Sequence, residues 1–288
     1  MVRVYFDRNA FSALSELEDG FTPADVEKIK NAVRAGSIKI LGSSPLLEET
    51  AATMAYSREM YRRHMGTVLD LIDRRRLIKS GEDILNDDCY NYTVGLAESD
   101  RTMPATVSLM RKFEFSEHES YVRGVVADRQ QERTKGTVQL NDVMAEARAD
   151  KRWAGSVPRA SLDELWDQIG VMVVAHWVDK CPPEIKKKCH KRGLKKMLLL
   201  RGFRFHVLYF ISMTYTSLFG MTGDPRKVKH GDLHDAHHAI CASAVNVFVT
   251  NESKTRPGHL GHALSWKPTP GFEVLSLREF LERISAGT

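Results

Sequence analysis

The alternation of apolar and polar positions divides the chain into two kinds of region. Residues 2–6, VRVYF, make an apolar run of strand length that stops at Asp7. NAFSALSE and then TPADVEKIKNAVRAG carry apolar residues at helical spacing. The second of these has Thr22 as N-cap, Pro23 in the first turn and Gly36 as its stop. SIKIL is a second strand, and SSPLLEETAATM opens a helix with Ser44 as N-cap and Pro45 in its first turn. From about Met54 to Met221 the strand pattern fades into helices joined by polar connections. The clearest of these is 161–178, SLDELWDQIGVMVVAHWV, where Ser161 and Glu164 match a capping box. The strand–helix pattern returns at 232–250, as LHDAHHAICASA followed by VNVFVT, and the chain closes on FEVLSLREFLERI with a capping box at Ser276 and Glu279.

Strands separated by helices predict a parallel sheet with right-handed crossovers. The expectation is an α/β domain made of residues 1–55 plus 225–288, interrupted by a helical insertion over 56–224. The 288 residues are 42% hydrophobic and 27% charged, an ordinary globular balance. The N-terminus runs directly into strand pattern, which predicts no signal peptide, and no window reads as a membrane span; Met197–Met221 comes nearest but contains Arg201, Arg204 and His206. A cytoplasmic location is expected. Cys89, Cys181, Cys189 and Cys241 are scattered without a CxxC pair, so reduced thiols are expected. A net charge of +5 permits a polyanionic partner.

The acids change the picture. Asp7 follows the first strand immediately, where open parallel sheets bind ligands, although Asp is also a common helix cap. Glu48 and Glu49 fall in the first turns after the second strand, where the helix dipole favours a carboxylate. Asp232 and Asp235 open the late helix, with Asp232 expected as its cap. Glu252 lies just past the carboxyl end of the strand VNVFVT. Each acid has an ordinary structural role on its own. Together, separate segments bring carboxylates to one sheet edge, and such a cluster is self-repelling unless compensated. Oxygen-only ligands select hard cations such as Mg2+ or Mn2+.

These stretches resemble the PIN-domain nucleases. VYFDRNAF is similar to that family's opening strand and Asp, SSPLLEET to its Ser followed by a helix-borne Glu, and DAHHAICASAVNVFVTNE to its Asp-Ala helix and the strand ending in Thr-x-Asp. FEVLSLREFL is similar to its closing strand and helix. The resemblance covers residues 1–55 and 230–285. It implies a three-layer PIN-like fold with a central parallel sheet, a metal site of Asp7, Glu49, Asp235 and Glu252 with Asp232 as a further acid, and Asn9 and Thr250 as polar supports. It also implies Mg2+- or Mn2+-dependent cleavage of RNA to 5′-phosphate products, in a toxin-like or defence-type ribonuclease. Two features depart from the family: Glu252 stands where Asp is usual, and the middle of the chain has no counterpart. They motivate an alternative, a non-catalytic PIN-like module that binds RNA. The dipeptide His234–Asp235 resembles a different class, the HD-type metal phosphohydrolases, which need further ligands such as His176. His237 and His238, about 100° apart on a helix, are poorly placed to share one ion.

Residues 180–206 hold ten Lys or Arg against one Glu. Lys186, Lys187, Lys188, Lys191, Arg192, Lys195 and Lys196 form a candidate phosphate-binding surface or a solvated helix face. Phe203 and Phe205 alternate with Arg204 and are either base-stacking or core residues. Trp153, Trp166 and Trp177 are expected as core or interface anchors. An antitoxin, another protein or a second copy of the chain could use the same inserted surface.

Overall fold

The structure is a computed structural model; it describes residues 1–96, 98–105, 119–149, 161–219, 226–256 and 258–286. Trp153 lies outside the described residues. The first half runs β1 (Val2–Phe6), α1 (Arg8–Glu16), α2 (Pro23–Arg34), β2 (Ile38–Ile40), β3 (Gly42–Ser43), α3 (Ser44–Ala52), α4 (Arg58–Leu71), β4 (Arg76–Ile78), α5 (Gly81–Val94) and β5 (Thr102–Pro104). Then come α6 (Glu119–Ala149), α7 (Leu162–Val178), α8 (Pro183–Arg192), α9 (Arg201–Phe219), α10 (His230–Ala242), β6 (Val247–Thr250), α11 (Leu260–Ser265), β7 (Glu273–Ser276) and α12 (Leu277–Ala286).

Four strands form a parallel sheet in the order β2-β1-β6-β7. The chain's first strand therefore lies between strands from both ends of the sequence. Phe6 pairs with Val249, and the Asp7 amide donates to the Val249 carbonyl at 3.0 Å. Successive side chains of a strand point to opposite faces. Tyr5 accordingly meets α10 through His238, while Phe6 packs on Phe11 of α1 and edge-on against Phe280 of α12. Helices thus cover both faces around β1. Fully burying a side chain the size of Phe6 contributes about 2 kcal/mol.

The strand signal does not end at residue 55. The chain passes from β2 through Leu41 into β3, which pairs with β4 in parallel, and β4 pairs with β5 antiparallel. The three-residue strands β4 and β5 were not expected within the inserted segment. That segment also shares the core: α9 packs along α10 and α7, and its Phe203, Phe205, Val207, Leu208 and Tyr209 are completely buried. Phe203 and Phe205 are therefore core residues, unavailable for base stacking. Trp166 meets Trp266 edge-on and is covered by Arg204 and Lys267.

Most caps follow the sequence. Asp7 caps α1, Thr22 and Asp25 cap α2, Ser161 and Glu164 cap α7, and Ser276 and Glu279 cap α12. Two shift. Ser43, not Ser44, caps α3 by accepting from the Leu46 amide. The late helix begins a turn early, at His230, so Asp232 is its third residue; its carboxylate accepts from the Lys229 amide at 2.7 Å. The cysteines are less scattered than their spacing suggests: all four are free thiols, and Cys189 Sγ lies 3.8 Å from the Cys89 carbonyl. Among the described residues no helix is long and apolar enough to cross a membrane.

One buried ion pair ties the middle of the chain to the sheet domain. Arg101 donates to Asp88 at 2.9 Å and to the Ser243 carbonyl at 3.2 Å, with both side chains almost fully buried. Burial pushes Asp88 up to about 6, against the pull of Arg101. Removing one partner of such a pair strands the other. Arg101→Met is expected to lower unfolding free energy by about 3 kcal/mol in denaturant titrations. Adding Asp88→Leu should recover most of that loss; a double variant as unstable as the single one would contradict this account.

Candidate active site

The β1–β6 register builds the site. Residues immediately after two paired parallel strands leave the sheet at the same end, so Asp7 and Thr250 become neighbours although 243 positions separate them. Thr250 Oγ1 donates to Asp7 Oδ2 at 2.5 Å and accepts from the Glu252 amide at 3.0 Å. The other Asp7 oxygen accepts from the Ala10 amide at 2.7 Å, which is its capping role. Asn9 donates to Glu252 Oε1 at 2.9 Å. Asn9 and Thr250, expected as polar supports, thus touch Glu252 and Asp7 respectively. The remaining oxygen of Glu252, Oε2, is buried without a hydrogen-bond partner among the described residues.

Asp235 comes to this group from α10. Tyr209 of α9 donates to its Oδ2 at 3.3 Å. Burial, then Glu252, Glu49, Asp232 and Asp7 in that order, push the Asp235 carboxyl well above the usual carboxylate range. Asp7 responds alike: burial raises it to about 7 against the hydrogen bonds from Thr250 and Ala10, and Glu252 adds to the rise. Asp7 and Asp235 thus both respond to the charge of Glu252. Among the described residues, however, no group of three or more His, Cys, Asp or Glu stands close enough together to hold a metal ion.

Two of the acids are engaged elsewhere. Asp232 receives both guanidinium nitrogens of Arg226, at 2.8 and 2.7 Å, besides the Lys229 amide. Its oxygens serve a bidentate clamp and a helix start. Glu49 reaches the same sheet end from α3, but His238 Nε2 lies 2.7 Å from its Oε2 and His234 Nδ1 lies 3.2 Å from its Oε1. Burial acts upward on Glu49, and His238, His234 and Arg8 outweigh it, holding the carboxyl at about 2. His234 is itself pushed down to about 3, mainly by burial, and its Nδ1 makes no aligned hydrogen bond among the described residues.

His238 belongs to a buried relay that sequence reasoning missed. Its Nδ1 meets the Tyr5 hydroxyl, which in turn lies 2.6 Å from Ser43 Oγ. One set of protons satisfies every member: Ser43 donates to Tyr5, Tyr5 to Nδ1, and Nε2–H to Glu49 Oε2. Two signals could have exposed it. Tyr5 is a hydroxyl inside an otherwise apolar buried strand, and His234 and His238 stand four residues apart, on one helix face. The pair His234–Asp235 diverges: His234 faces Glu49, and Asp235 faces Tyr209.

The lysine-rich run lies on α8 and the turn after it, which rest on α5 and α7. Lys186 pairs with Asp179 at 2.8 Å, and Arg192 donates to the Thr93 carbonyl while covering the Tyr92 ring. Lys187, Lys188, Lys191, Lys195 and Lys196 are exposed.

The raised carboxyl of Asp7 makes a stability prediction. Its folded value of about 7 exceeds the usual 3.8, so between those values the native state binds the extra proton. Stability is then lost as pH rises through 7. Asp7→Asn, which cannot ionise, should raise Tm at pH 8 in metal-free buffer by at least about 2 °C, with the gain shrinking toward pH 4. A gain independent of pH would contradict the assignment of strain to the ionised carboxylate.

Compared with protein-family models, curated proteins and solved structures, the chain finds no significant match.

Proposed function

We propose that the chain is a metal-dependent endoribonuclease with a three-layer PIN-like core, and that Asp7, Asp235 and Glu252 are its metal-binding acids. The observation that carries this reading is that acids from three separate segments lie toward one end of the parallel sheet, with Glu252 raising the proton affinity of both Asp7 and Asp235. Two further features support a resident cation. The three acids offer oxygen donors only, which suits Mg2+ or Mn2+. Glu252 Oε2 is buried and unpartnered among the described residues, which leaves a lone pair without a use. Asp232, saturated by Arg226, is left out of the set.

Bound there, a divalent cation would lower the pKa of water and neutralise charge gathering on the phosphate. The protein's own groups do the rest. Thr250 and the Ala10 amide fix the Asp7 carboxylate, so it need not reorganise. Asn9 holds one oxygen of Glu252 and leaves the other for the reaction space. The longer Glu252 side chain, where the PIN family has Asp, is thereby restrained to a single reach. Tyr209 steadies Asp235 from the core. Glu49, held by His238, supplies a fixed negative charge behind the acids. The PIN resemblance implies that water would displace the 3′ oxygen at phosphorus, leaving a 3′-hydroxyl and a 5′-phosphate.

The test is cleavage of end-labelled single-stranded RNA with Mn2+. Wild-type protein should cut, EDTA should abolish cutting, and Asp7→Asn and Asp235→Asn should each slow it about 100-fold or more. Cleavage unchanged in both variants would sink the site. RNA retained without any cleavage would favour the non-catalytic binding module.

A further inference from the structure

Beside Asp235 and Glu252 the surface opens into a cleft of about 400 Å³, lined by Arg226, Lys229, Asp232, Asp235, Glu252, Arg256, Gly258 and His259. One wall is acidic, the other basic. Arg226 is neutralised by Asp232. Lys229 and Arg256 are exposed and have no acidic partner among the described residues. His259 Nδ1 stands 4.0 Å from Glu252 Oε2, and both atoms are buried without a hydrogen bond among the described residues. The basic wall is built, not loose. Gly258, with φ of +82°, donates its amide to Ser212 Oγ at 3.0 Å, and a Cβ there would come within 2.5 Å of Thr216 Oγ1. Two residues of α9 thus fix the turn that carries Arg256 and His259, while Tyr209 of the same helix holds Asp235.

We infer that Lys229, Arg256 and His259 seat a phosphodiester of a single RNA strand next to the acids, so that the strand enters through this cleft instead of along the lysines of α8. The inference rests on the ribonuclease reading for the identity of the strand. Its physical basis is local. A cluster of carboxylates repels a polyanion, and only cations beside it, within the roughly 10 Å that salt leaves unscreened, offset that repulsion at the point of contact. Phosphate contacts position a strand without reading its bases, which matches long flexible cations with no acid of their own. On α8, Lys186 and Arg192 have partners within the protein while Lys187 and Lys191 are exposed, so what sets Lys229 and Arg256 apart is that they line one cleft with Asp235 and Glu252.

Binding is measured in EDTA, so that no cleavage is needed, by anisotropy of a labelled single-stranded 12-mer RNA across a salt series. The double variant Lys229→Ala/Arg256→Ala should bind about tenfold or more weakly, and its salt slope should fall by about 0.7, the one phosphate these side chains seat. Lys187→Ala/Lys191→Ala should stay within about twofold of wild type. All four side chains are exposed, so Tm should hold in both variants. The expected loss in the first variant upholds the cleft even if wild-type protein never cuts. Unchanged binding there, or a larger loss in the α8 variant, overturns it even if cleavage is confirmed. The same sequence as DNA separates the two sources of that phosphate: tighter RNA binding supports the assignment, and tighter DNA binding overturns it.

Discussion

Pairing Phe6 with Val249 in parallel register brings Asp7 and Thr250 side by side, and the hydrogen bond between them organises everything around the site. Thr250 faces two ways. Its hydroxyl proton goes to Asp7, and its oxygen receives the Glu252 amide, so one side chain fixes the first acid and the turn that carries the last. A slip of one residue in this register would turn every side chain of β1 to the opposite face. Tyr5 would lose His238, and Phe6 would lose Phe11 and Phe280. The packing of both faces therefore specifies the position of the acids.

The energetics run against the site locally. Asp7 and Asp235 are held where ionisation is costly, beside Glu252 and with few donors to compensate. Glu49 is the exception, because His238 and the hydroxyls behind it satisfy its charge. This contrast separates a carboxylate already compensated within the protein from carboxylates that still call for a counter-ion. It also assigns the middle segment a role: α9 supplies Tyr209 to Asp235 and Ser212 and Thr216 to the turn at Gly258, so the segment between the two motif regions supports the residues that line the cleft.

Much of this was legible in the chain. The parallel sheet follows from apolar runs placed between amphipathic stretches, and Asp7, Asn9, Thr250 and Glu252 could be placed because each lies within three residues of a strand end. The rest was hidden for physical reasons. β4 and β5 are three residues each, too short for periodicity to mark. Asp232, expected as a cap and as a further acid, also forms a bidentate pair that sequence did not reveal, because its partner, Arg226, sits outside any recognisable motif. The Tyr5–His238 link joins residues 233 positions apart, and no local pattern encodes a contact of that span. The lysine run drew notice by its density, whereas Lys229 and Arg256 belong to two short basic stretches that line one cleft only when the chain folds.

The central claim is that Asp7, Asp235 and Glu252 form a site for a hard divalent cation. Thermal unfolding in a Mn2+ titration tests it without assuming any substrate. A ligand bound only by the native state raises stability by RT ln(1 + [L]/Kd), about 2.7 kcal/mol at a hundredfold excess over Kd. Wild-type Tm should climb with Mn2+ and saturate as a single site, while Asp235→Asn should show little or no climb. A wild-type Tm indifferent to Mn2+, or a variant that climbs equally, would contradict the account.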